Sequence, residues 1–197
     1  MKHSTLVPAA LLALSACAAR HTVTPVETQT QAISTTTTAV PMAVAMPSRE
    51  TLLQDVQRSR DNVLKYLEAA PDSMLGFRPV PGVRTFGEQI EHAAVANPFI
   101  VTLAFTGKMP AARADTATYR RSKPALRAVV NESYDEFARL VRNATEAELT
   151  RSSTFANMTR PGWQWITGAI DHSSFTIGQT VPYLRLNNVT PPTFLPF

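Results

Sequence analysis

The sequence predicts an all-α fold, a four-helix bundle, and three observations predict it. Four long segments repeat apolar side chains at steps of three and four residues. No segment sustains the two-residue alternation of a half-buried strand. Glycine is scarce, 7 of 197 residues, which suits helices packed on helices.

The first helix is expected to open at Ser48-Arg49-Glu50, after Pro47, with a hydroxyl to cap a free amide and a carboxylate in the positive first turn. Leu52, Leu53, Val56, Val63, Leu64 and Leu67 form its apolar stripe, and Pro71 stops it. Phe77 to Gly82, with two prolines and a glycine, reads as a connector. Thr85-Phe86-Gly87-Glu88 matches a capping box and opens the second helix, which runs through Ile90 and His92 to about Phe105, with a kink expected at Pro98. Gly107 to Ala117 reads as a loop. A third helix begins near Lys123-Pro124, carries Leu126, Val129, Val130, Tyr134, Phe137, Leu140 and Val141, and winds down over 143–153. After a second connector over 155–162, a fourth helix starts at Pro161-Gly162-Trp163 and continues through Ile166, Ile170, His172, Phe175, Val181 and Leu184. Pro191-Pro192 is expected to end the ordered part. Trp163 and Trp165 read as core and cap residues.

The beginning of the chain has a different character. Lys2 and His3 precede an apolar run from Leu6 to Leu14, then the small residues Ser15 and Ala16, the pattern of a secretory signal. The run is too short for a bilayer, which needs about 20 residues. Leu14-Ser15-Ala16-Cys17 resembles the bacterial lipobox. That resemblance implies cleavage after residue 16, lipidation of Cys17 and, with Ala18 rather than Asp following, an outer-membrane anchor facing the periplasm. Cys17 is the single cysteine of the chain; a free thiol is a liability in an oxidising compartment, and an acylated one is not. Residues 17–47 are rich in Thr, Ala, Val and Pro and read as a disordered tether. The expected organisation is therefore a signal peptide over 1–16, a lipidated tether over 17–47 and a helical domain over 48–197. The domain's roughly 150 residues suffice for one hydrophobic core and not for two.

Composition narrows the function classes. The apolar fraction of 44% is ordinary for a globular protein. The formal charge of +4 is spread mostly over scattered arginines, and the one dense spot, Tyr119-Arg120-Arg121-Ser122-Lys123, reads as a solvated inter-helix loop. A nucleic-acid partner needs a contiguous basic face with aromatic platforms, and none is expected. There is no glycine-rich phosphate loop and no Gly-x-Ser-x-Gly elbow. The only cysteine lies outside the helical domain, which excludes a thiol nucleophile there.

Of four histidines, His3 falls in the signal and His21 in the tether, leaving His92 and His172 on the second and fourth helices. Facing helices of a bundle can bring such residues together around a metal. Glu88 precedes His92 by four residues and Thr176 follows His172 by four, about 40° apart around a helix, so each pair shares a face. The plain reading makes the two histidines half-buried and hydrogen-bonded to neighbours such as Asp171 or Glu88.

Three stretches together resemble the DinB/YfiT-like superfamily over 48–192. Residues 75–92 carry Arg78-Pro79, Gly82 and the capped helix leading to His92. Asp171-His172 leads to Gly178-Gln179, and Tyr183 to Pro192 holds Arg185 and the closing double proline. The resemblance implies a four-helix bundle with up-down-down-up connectivity, a divalent metal (zinc or nickel) held by three histidines, and a homodimer. His92 and His172 match two of the ligands. The third position is Thr176, in Phe175-Thr176-Ile177-Gly178-Gln179 where the family often has His-His-Arg-Gly-Gln. A threonine hydroxyl is a poor ligand beside an imidazole, so the site is expected to be lost or weak unless Glu88 or a water completes it. The expected function is a lipid-anchored envelope bundle that binds a small ligand or partner. The alternative is a metal-dependent, thiol-dependent transferase or hydrolase with His92 and His172 on the ion and Glu88 as ligand or base.

Overall fold

A computed structural model describes residues 45–110 and 119–196. The signal segment, Cys17 and the tether up to residue 44 lie outside the described residues, as does most of the loop that follows Gly107. Helix α1 spans Arg49–Ala69, with the Ser48 side chain accepting the Thr51 amide at 3.1 Å. Helix α2, Phe86–Thr106, opens on both halves of the Thr85/Glu88 capping box, continues through Pro98 and ends at Gly107, whose φ of 67° is the left-handed conformation glycine favours at a helix end. Helix α3, Lys123–Asn143, is capped by Ser122 and has Pro124 in its first turn.

The remainder departs from expectation. Where α3 was expected to fade, a separate short helix α4 spans Glu146–Thr150 with its own capping box, Thr145 and Glu148. The second connector is a hairpin, β1 (Ser152–Phe155) against β2 (Met158–Pro161), closed by Ala156 and Asn157 at φ 49° and 62°. Positive φ at both turn residues matches the twist of the strands. The last helix is two: α5 (Gly162–Gly178) and α6 (Thr180–Leu186), divided at Gln179. Beyond Pro191-Pro192 the chain stays placed, because the Asn62 amide pairs with the Leu195 backbone in both directions, each bond 2.9 Å.

Helix α2 packs chiefly on α5 and α3, and α1 on α3 and α5, so α1 and α2 take opposite corners. Phe86, Ile90, Leu126, Phe137 and Ile166 are fully buried between them. At roughly 1.5–3 kcal/mol for each such side chain removed from water, this core drives assembly. Trp165 is buried and holds the hairpin, its indole N–H donating to the Ser153 carbonyl at 3.3 Å. Phe175, expected in the apolar stripe, faces outward at 71% exposure. The buried face of α5 instead uses Trp165, Ile166, Ala169, Ile170, Ser173, Thr176 and Ile177. Among the described residues no helix is long and apolar enough to cross a membrane.

Candidate functional site

The connector before α2 folds back on the helix start. The Phe86 amide donates to the Phe77 carbonyl at 2.8 Å, and the Gly87 amide to that of Leu75 at 2.9 Å. A Cβ on Gly87 would stand 2.5 Å from the Arg120 carbonyl oxygen, so glycine allows connector, helix and the single turn Tyr119–Arg121 to meet here. Their convergence forms a cleft of about 460 Å³ lined by Arg78, Arg84, Arg120, Glu88, Glu91 and His92, with Val83 and Val95 as apolar wall.

His92 on α2 reaches His172 on α5: the rings are 4.9 Å apart and nearly perpendicular, at 78°. Burial lowers the His92 pKa to about 4, with the Arg84 guanidinium and His172 pushing the same way against Glu91. Burial, then Arg84, also lowers that of His172. Both rings are therefore neutral near pH 7, and each keeps a lone pair for a hydrogen bond or an ion. No hydrogen bond joins either ring to Asp171 or Glu88 among the described residues, and His172 Nδ1 is buried without a partner. One turn earlier on α2, Gln89 Nε2 donates to Gln179 Oε1 at 2.9 Å and ties α2 to the junction of α5 and α6.

The other two sequence candidates are otherwise engaged. Thr176 is 2% exposed and its hydroxyl donates to the His172 carbonyl at 2.8 Å, the back-bond a threonine makes inside a helix. Glu88 accepts the Thr85 amide at 2.7 Å and stands 3.6 Å from both Arg78 and Arg120. The Thr85 amide, with Arg78 and Arg120, holds its carboxyl below the usual carboxylate range. Glu88 is thus a helix cap and ion-pair partner, not a free ligand. Among the described residues no three His, Cys, Asp or Glu side chains group as a metal site. The donor set present, two imidazoles in contact, does not fit a three-histidine ion.

Arg84, Glu91 and Arg120, three charged residues of the cleft lining, escaped sequence reasoning. Arg120, expected in a solvated loop, instead donates from Nε to the buried carboxylate of Glu91. Arg84 lies beside the capping box, and its backbone carbonyl accepts the Tyr183 hydroxyl at 3.0 Å. Of the three, only Arg84 had a local signal, its place between Gly82 and the Thr85 cap.

The sequence profile of the DinB superfamily matches residues 55–175, more than half of the chain. The chain belongs to the DinB superfamily. Two solved DinB-like proteins share its fold. One, from Bacillus cereus, is 22% identical, with a TM-score of 0.62 over 74% of this chain and 97% of that one. The other, from Bacillus subtilis, is 15% identical, with a TM-score of 0.59 over 75% and 96%. No curated protein matches the chain. The DinB match includes both His92 and His172.

Proposed function

We propose that this DinB-superfamily chain is a lipid-anchored protein of the cell envelope whose bundle binds a small ligand in the cleft beside His92, its divalent-metal site lost or weakened. One observation carries the reading: at the position where the family's third histidine is expected stands Thr176, buried and with its hydroxyl spent on the His172 carbonyl. Removing one strong ligand of three lowers affinity greatly, and Glu88, committed to its cap, is no substitute. The anchor rests on Leu14-Ser15-Ala16-Cys17 and on the absence of any second cysteine.

Metal content of the purified protein, measured by mass spectrometry after exposure to zinc, nickel, manganese or cobalt, tests the site. The expected result is far less than one ion per chain, with a gain in Thr176→His that a further His172→Ala removes. Near-stoichiometric metal in the unaltered protein, lost in His172→Ala, would overturn the reading in favour of a metal-dependent enzyme using His92 and His172. Incorporation of labelled fatty acid, expected in the full chain and absent from Cys17→Ser, tests the anchor.

A further inference from the structure

Resting on that reading, we infer that the cleft at the start of α2 takes a small organic monoanion, a carboxylate with a short apolar body, and that Arg84 binds its carboxylate. Among the described residues the charges lining the cleft do not cancel: three arginines face two glutamates. Arg78 stands 3.6 Å from Glu88, and Arg120 is engaged by both Glu88 and Glu91. Arg84 has no ion-pair partner among the described residues and is exposed at the cleft wall. One unmatched guanidinium suits one negative charge, and its planar fork matches a carboxylate through two parallel hydrogen bonds.

The rest of the wall says what is attached to that carboxylate. Val83, beside Arg84 in the chain, and Val95, one turn beyond His92, supply aliphatic surface to the same cleft. The imidazole of His92 adds a polar edge to the lining. A cleft of about 460 Å³ lies in the range that holds small organic ligands. The amides at the start of α2 take no part, since those of Phe86, Gly87 and Glu88 are already bonded to Phe77, Leu75 and Thr85. Recognition therefore falls to side chains, and above all to Arg84.

Benzoate is the probe, with benzyl alcohol as its neutral counterpart and inorganic phosphate as the competing anion. Binding to the detergent-purified full chain is followed by calorimetry at constant ionic strength, and the metal content of the same sample is recorded. Benzoate is expected to bind in preference to both other compounds. Its affinity should fall at least tenfold in Arg84→Gln, recover in part in Arg84→Lys and stay unchanged in Arg160→Gln, on the hairpin. Absence of benzoate binding to a folded, metal-free protein would overturn this inference and leave the broader ligand-binding reading standing. So would phosphate or benzyl alcohol binding as well as benzoate, or benzoate affinity that survives Arg84→Gln. A stoichiometric metal in the sample would overturn the broader reading instead, and benzoate binding that disappears with a chelator would overturn both.

Discussion

Two polar clusters cross this bundle; each leaves one buried polar atom unmet, Asn97 Oδ1 in the interior and His172 Nδ1 next to His92, and they differ in what lies beside it. In the interior, Tyr134 of α3 joins Ser59 of α1 at 2.7 Å and Ser173 of α5 at 2.9 Å, all three buried. Burial raises the Tyr134 pKa, while Ser173, Ser59 and Asn97 beside the hydroxyl pull the other way. At the cleft, the lining residue His92 meets His172, which is not itself in the lining; His172 Nδ1 has no partner, and Arg84 has no ion-pair partner among the described residues. A chain of hydroxyls that satisfy one another fixes the register of the helices they join. A set of polar groups left short of partners beside a cleft is what a ligand would complete. The adjacent residues His172 and Ser173 thus have different partners: one meets the His92 ring and the other joins the hydroxyl chain.

The sharpest way to break that division is Tyr134→Phe. It keeps the ring and strands two buried hydroxyls, Ser59 and Ser173, at an expected loss of about 2 kcal/mol. Urea unfolding measures the loss, and the affinity for benzoate should not change. A parallel fall in binding by folded protein would mean that the two clusters act as one.

How much of this was legible in the sequence depends on how local the signal was. The three-and-four spacing and the Thr85/Glu88 box located α1, α2 and α3 because amphipathic periodicity and capping are properties of a few adjacent residues. Thr145-Glu146-Ala147-Glu148 carried the same box and could have revealed α4. The hairpin gave little warning: its strands have four residues each, and Ala156-Asn157 is not among the usual pairs for a two-residue turn. Phe175 misled because hydrophobicity was taken for burial, whereas Ser173 and Thr176 turn to the interior with their hydroxyls satisfied. The histidine pair was legible once the helices were placed on facing sides. The pairing of Arg120 with Glu91 and of Asn62 with the Leu195 backbone was not, since each joins segments far apart in the chain.

Acid separates the cleft's groups from one another, with a smaller effect on stability. The His92 pKa of about 4 lies below its ordinary 6.5, so between these values the unfolded chain binds more protons and folding weakens as pH falls. Allowing for half burial, the loss is about 1–2 kcal/mol, and His92→Gln should shrink this limb in a plot of unfolding free energy against pH, leaving the part that His172, also lowered by burial, contributes. Glu88 acts lower on the scale. Its carboxyl is held below the ordinary 4.5, so its contribution is present above that value and fades as pH falls through the folded pKa. Glu88→Gln should flatten the curve only below about pH 4.5 and cost about 1 kcal/mol or less at neutral pH, since a capping amide retains part of the interaction. If Glu88→Gln instead left stability unchanged and altered metal content or benzoate affinity, Glu88 would belong with His92 as a binding group rather than with Thr85 as a cap.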